Sequence, residues 1–348
     1  MTLTRLPADR AEHPEPAASA EPASLEAAAA EAAAAVPEAA VLAGRDAYRA
    51  ELTRLARTDP RILCLEADLG GRSHPFAEEH PDRFFNLGIA EGAMIDMAAG
   101  LAMAGYRPFV STFAPFAALR AAESLKLGLG YLGAGVSVVA PYAGVSGAWF
   151  GTTHHCLEDL AVVGSIPGVT IAAPYGEAEM RAVIRSAAAS GRPHYIRTGR
   201  NATPVGLHPA ADAAVPVVRW DALGGAAGAE AEVCLVSVGE VGTELCLAAR
   251  AMRPELAHAH LCYLDQEHLA TAAAELAERH SRFLVVEEHR PVGGVAAGLA
   301  LLMPRCTVIG ANAGSTWPSG GGDHEHVLAE LGLDLAAVLD AADRAARH

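Results

Sequence analysis

The chain has 348 residues, 51% hydrophobic and 19% charged, with a formal net charge of −15. That balance gives a globular chain long enough for two separately cored domains and excludes a disordered one. The acidic surface and an aromatic content of 5% exclude nucleic acid as a partner, since phosphates need positive charge and bases need stacking rings.

The segment 1–40 is low-complexity Ala, Pro and Glu, in which prolines interrupt any long helix, although Leu25 to Ala35 has helical composition. It is expected to be a mobile tail without chemistry. From Val41 the pattern changes to short apolar strands alternating with helices: helix Arg45–Arg57, strand Ile62–Glu66, the turn Ala67-Asp68-Leu69-Gly70-Gly71 and a short strand at Phe84–Phe85. Helix Glu91–Ala104, strand Arg107–Ser111, helix Pro115–Leu129 and strand Val136–Ala140 follow, and then a Gly-rich loop Tyr142–His155 and a helix from Leu157. Strand Val169–Ala172, helix Glu177–Ser190 and strand His194–Arg197 complete a first unit, 41–200. Residues 201–230, rich in Pro, Gly and Ala, read as a linker. A second unit, 231–348, alternates in the same way: strands at Val233–Val238, Ala259–Leu264, Phe283–Glu287 and Cys306–Ile309, helices at Glu240–Met252, Glu267–His280, Gly293–Leu302 and Leu335–Ala345. The expected fold class is α/β, two tandem doubly wound domains with mainly parallel sheets.

The six cysteines (Cys64, Cys156, Cys234, Cys246, Cys262, Cys306) show no CxxC pair and sit mostly in apolar runs, as buried thiols do. Asp323-His324-Glu325-His326 reads as a solvated loop leading into a helix, since ligands so close together rarely close a metal site. No metal site is expected on this chain. No charge-free run of about 18 apolar residues reads as a membrane span, and the N-terminus lacks a signal layout, so a cytoplasmic protein that avoids membranes is expected.

Sites in parallel sheets form at the carboxyl ends of strands. The helix from Glu91 is apolar on nearly every face, so both sides are expected to meet protein. Its first acid, Glu91, has two readings: a carboxylate satisfying free helix N–H groups, or an acid held dry to exchange a proton or hydrogen bond with a cofactor.

The order ADLGG, RFFNLGIAEG, STFAPF with Arg120 after it, GTTHHCLEDLAVVGSIPGV and, in the second unit, VVEEHRPVGG resembles the C-terminal half of transketolase and of deoxyxylulose-phosphate synthase. That half is a pyrimidine-binding domain followed by the transketolase C-terminal domain, and the resemblance runs from Arg45 to the end. It implies a thiamine-diphosphate enzyme, active on a small-molecule substrate, in which Glu91 holds the pyrimidine ring nitrogen and activates the cofactor. Phe113 and Phe116 match the aromatic pair of the family, with Phe116 packing on the pyrimidine; Asp68 and Ile89 complete the implied cofactor site. His154 matches the histidine over the reacting carbon, His155 stands where the family has Gln, and Arg200 matches an arginine used on sugar phosphates. With His154 as the second catalytic residue, these three form the implied substrate site, while Arg197 is given a structural role.

The sequence departs from the family at the loop Gly147-Ala148-Trp149-Phe150-Gly151-Thr152-Thr153, where bulky aromatics replace an aspartate that reads donor hydroxyls. Pro141-Tyr142 replaces a phosphate contact, and Leu119 stands where many transketolases have Tyr. No G-D-G motif, which in the family holds the diphosphate and its divalent metal, occurs in the sequence. The implied protein is therefore the C-terminal subunit of a split transketolase, transferring a two-carbon ketol unit from a ketose or 2-oxo donor. Its partner would be an N-terminal subunit carrying the diphosphate and Mg²⁺ or a similar divalent metal, two copies of each chain, with self-association through both domains. The alternatives are the β component of a 2-oxo-acid decarboxylase or dehydrogenase, a deoxyxylulose-phosphate-synthase-like enzyme, and a non-catalytic scaffold.

Overall fold

Alternation within the strands builds the first sheet. In β1, Ile62–Glu66, Ile62 and Cys64 point to one side and Leu63 and Leu65 to the other, and all are buried. The computed structural model describes residues 42–69, 74–203, 214–224 and 231–347. The tail 1–40, Gly70-Gly71 of the first turn and most of 201–230 lie outside the described residues. With β2 (Phe84–Asn86), β3 (Arg107–Ser111), β4 (Ser137–Ala140), β5 (Thr170–Ala172) and β6 (His194–Arg197), β1 forms a parallel sheet of order β2-β1-β3-β4-β6-β5. Helices α1 (Gly44–Ala56) and α5 (Gly176–Ser190) bury Tyr48, Leu52, Val183 and Ile184 with the Ile62 and Cys64 side, above α2 (Pro75–Glu79). On the other side α3 (Glu91–Met103) and α4 (Asp159–Gly164) place Met94, Ile95, Leu160 and Val163 against Leu63, Leu65 and Val110. Both sides are covered, the doubly wound arrangement the apolar runs predict.

The second sheet, β11-β10-β8-β9-β7, comprises β7 (Arg219–Ala222), β8 (Cys234–Val238), β9 (Ala257–Leu261), β10 (Arg282–Glu287) and β11 (Thr307–Ala311). It is parallel except for β7, which runs antiparallel to β9. Around it lie α6 (Gly239–Met252), α7 (Gln266–Arg279), α8 (Val295–Leu302), α9 (His324–Glu330) and α10 (Leu335–Arg347).

Several expectations shift. The stretch read as linker contributes β7, whose Arg-Trp-Asp-Ala sequence hides its identity because an edge strand needs no continuous apolar run. Strand β9 starts and ends earlier than Ala259–Leu264. Its His258 and His260 are buried, both bonded to Ser237 Oγ at 2.8 and 3.0 Å. Cys262–Leu264 instead leave to join the first sheet, where Ala173 N donates to Cys262 O at 2.7 Å and Leu264 N to Ile171 O at 2.8 Å. The helix expected over 115–129 comprises two π-helical segments, Phe116–Arg120 and Leu125–Tyr131, around a short α-helical piece at Ala122–Ser124; π-helical segments are frequent at functional sites. Asp323 caps α9 through Glu325 N at 3.0 Å; Asp323, Glu325 and His326 are exposed, and the partly buried His324 bonds to Glu288 Oε1 at 3.2 Å.

Helix α3 buries one face. Ala93, Asp96, Met97, Gly100 and Met103 are exposed in the single chain, so the second covered face the sequence predicts is open. Among the described residues no helix is long and apolar enough to cross a membrane.

Candidate active site

The segments that follow β2, β3, β4 and β6 touch one another at the carboxyl ends of these strands. After β2 the chain turns at Gly88, whose φ of +66° suits glycine, and Glu91 opens α3. The Glu91 side chain is buried, and Arg120 Nη1 donates to its Oε1 at 2.8 Å. Its Oε2 is buried with no partner. The same guanidinium lies 4.2 Å from the centre of the Phe116 ring.

His154 packs against three rings. Phe150 stacks on it at 4.5 Å and 22°, while Phe116 and Phe113 meet it edge-on at 5.2 and 5.8 Å. Its Nδ1 is 3.0 Å from Thr153 Oγ1. Burial, and then the nearby Arg120 charge, lower its pKa below the usual histidine value, so the ring is neutral at pH 7 and able to accept a proton.

The loop carrying His154 is fixed at its base and tip. Gly144 and Cys156 exchange two backbone hydrogen bonds, at 2.8 and 2.7 Å. From the second sheet Glu288 Oε1 accepts from Val145 N at 2.7 Å, and its carboxylate fills the place a Cβ on Gly144 would take. At the tip, Gly322 N donates to Ala148 O at 3.1 Å. Burial lowers the pKa of His324, but its bond to Glu288 together with the charges of Glu288, Glu244 and Glu240 outweighs this, and the net shift is upward.

Of the residues singled out from sequence, Glu91, Phe116, Phe113, His154 and, through Phe150 and Trp149, Arg200 form one chain of contacts. Arg200 lies over Trp149 at 4.2 Å and has no carboxylate partner among the described residues. Asp68, with φ +47°, and Ile89, 74% exposed, sit at the strand ends outside that chain of contacts. His155 is buried beneath the loop, neither ring nitrogen has a partner, and burial lowers its pKa. Arg197 is buried against Asp159 at 3.0 Å. Sequence reasoning missed the Arg120–Glu91 pair, although Phe116 and Arg120 are four apart and share a helix face. It also missed the pinning role of Glu288, although the VVEEHRPVGG motif contains it, and Thr112, whose buried hydroxyl has no partner. Cys64, Glu66 and His74 present ligand atoms within 4.8 Å of one another, but Arg49 already holds Glu66 with two bonds of 2.8 and 3.0 Å. That guanidinium fills the place of a cation.

A family profile described as transketolase, pyrimidine binding domain, matches residues 40–205. A putative transketolase C-terminal section of Methanocaldococcus jannaschii is 30% identical over 259 residues, 74% of this chain and 80% of that protein. The chain belongs to the transketolase family. Another transketolase relative is the 6-deoxy-6-sulfo-D-fructose transketolase subunit of a Clostridium species, 37% identical over 155 residues, 44% of this chain and 48% of that one. Among solved structures, an inactive β4 tetramer of a split-gene transketolase superposes with a TM-score of 0.74 at 28% identity, covering 88% of this chain and 99% of that one. The fold is thus that of a transketolase-type C-terminal subunit.

Transketolases depend in general on thiamine diphosphate, and the residues here fit the pyrimidine end of that group. Glu91 Oε2 is a buried, unpartnered oxygen, while its other oxygen is held by Arg120, whose guanidinium also lies over the Phe116 ring.

Proposed function

We propose that this chain is the C-terminal subunit of a split, thiamine-diphosphate-dependent transketolase that moves a two-carbon ketol unit from a ketose or 2-oxo donor to an acceptor aldehyde. The observation carrying this reading is the divided carboxylate of Glu91, one oxygen held by Arg120 and the other buried without a partner. Glu91 would hold the pyrimidine ring nitrogen of the cofactor, and Phe113 and Phe116 would pack against that ring. When bound, the cofactor supplies a carbon that stabilises the carbanion left as the donor C–C bond breaks. His154, neutral at pH 7, would take the proton from the donor hydroxyl as that bond breaks and return one to the acceptor oxygen as the new C–C bond forms. The rings packed against it hold the imidazole in position.

The open face of α3, with Met97 and Met103, supports a second protein chain there. An N-terminal subunit supplying the diphosphate and Mg²⁺ sites fits it, and the relatives described as a subunit and a C-terminal section accord with this. The test is capture of the tagged chain from its host, with thiamine diphosphate quantified in the eluate and ketol transfer assayed from a ketose donor. A stoichiometric G-D-G protein, bound cofactor and transfer without CO₂ release are expected. Release of CO₂ from a 2-oxo acid as the main reaction would replace the reading with a decarboxylase component, and a lone chain free of cofactor would remove it.

A further inference from the structure

We propose that the rings following β3 and β4 are a subsite for the distal half of the substrate, which selects carbonyl compounds bearing an aryl or branched-alkyl substituent over polyhydroxylated ones. The proposal rests on the ketol-transfer reading and names the substrate class of that same site. Phe113, Tyr142, Trp149 and Phe150 form a closed circuit of ring contacts. Phe113 meets Tyr142 at 4.7 Å and 84°, Tyr142 meets Trp149 at 5.9 Å and 72°, Trp149 meets Phe150 at 5.1 Å, and Phe150 returns to Phe113 at 6.3 Å. Its inner edge is His154, on which Phe150 stacks.

Trp149 and Phe150 remain 47% and 45% exposed although their loop is pinned at base and tip. Tyr142 holds a left-handed backbone, φ +62°, which a tyrosine adopts only where its surroundings demand it. Two half-exposed aromatics on a rigid loop beside a proton-carrying histidine form a preorganised apolar wall.

The chemistry of the wall narrows the ligand. The rings carry only the Tyr142 hydroxyl and the Trp149 indole N–H as polar atoms, so a chain of several hydroxyls laid against them gives up more bonds to water than these two groups replace. The steep angles between Phe113, Tyr142 and Trp149 make walls, whereas stacking a sugar face requires a flat platform. A cationic ligand is disfavoured because Arg200 and Arg120 already lie 4.2 Å over Trp149 and Phe116. At the reacting end, His154 remains for the carbonyl.

The test is saturation-transfer NMR titration of the full chain with benzaldehyde and 3-methylbutanal, and with D-glyceraldehyde as the polyhydroxylated control. Both apolar aldehydes are expected to bind at least about tenfold more tightly than glyceraldehyde, and Trp149→Ala and Phe150→Ala are each expected to weaken them about tenfold. Trp149 is half exposed, so its truncation leaves the core intact and carries the test even where Phe150→Ala unfolds. Glyceraldehyde binding as tightly, apolar binding unchanged in Trp149→Ala, or Trp149→Ala releasing a protein subunit while aldehyde binding persists would each overturn the subsite. Turnover in the assembled complex is read separately. Benzaldehyde bound without ketol product removes the ketol-transfer reading and keeps the subsite; product from glyceraldehyde without selectivity does the reverse.

Discussion

The His154 loop and helix α3 meet at the same site, and they differ in where their contacts end. The loop is completed within the chain: Gly144 pairs with Cys156, and Glu288 and Gly322 arrive from the second unit to fix base and tip. Helix α3 is half completed, with Met94 and Ile95 in the core and Met97 and Met103 facing out. The chain therefore orders the His154 side of the site by itself and leaves the outer face of the Glu91 helix open. Closed regions should respond to mutation through stability and geometry, and the open one through association.

The largest effect should come from the open side. Replacing Met97 and Met103 together by Asp should weaken association with the partner subunit by about 10³-fold, while leaving the isolated chain within about 0.5 kcal/mol of its stability. Analytical ultracentrifugation beside urea unfolding checks this; a loss of stability instead would mean that α3 is closed within the chain. Next, Glu91→Gln should lower kcat of the assembled enzyme at least about 10²-fold with the melting temperature held. An unchanged kcat would make Glu91 a capping residue and the subunit a scaffold.

In the closed interior, burial pushes His258 down to about 3. Its folded pKa lies below the free value of about 6.5, so its contribution is complete above that value and is lost as pH falls toward 3. Between pH 7 and 5 the loss is about 2 kcal/mol, and His258→Asn should reduce the pH dependence of unfolding over that window by this amount. Equal slopes for both proteins would show that His258 titrates freely. The smallest effect is expected at the pin: Glu288→Gln keeps an acceptor for Val145 N and should lower kcat/KM about tenfold through displacement of His154. An unchanged kcat/KM together with a lower melting temperature would reduce Glu288 to a structural tie.

The first sheet was legible because strands buried on both sides carry continuous apolar runs, as in Ile62–Leu65, and because glycine turns such as Gly88 mark their ends. What escaped was set by tertiary contact. Arg219–Ala222 reads as linker because its charges suggest solvent, whereas Arg219 pairs with Asp221 two residues on and with the distant, buried Glu179. His258 and His260 disguise β9 for the same reason. In the site, Glu91, Phe116 and His154 were visible through motif order, whereas Glu288 reaches Val145 across 143 positions, a pairing that no local period announces.

The open face of α3 also has a bearing on supply. Its exposed surface mixes small residues, Ala93 and Gly100, with flexible Met97 and Met103, a smooth patch to which a second backbone can come close. A cell making this chain in excess over its complement would leave that patch to be covered by further copies of itself. Matched dosage of the two gene products would then govern how much of this chain reaches a working complex.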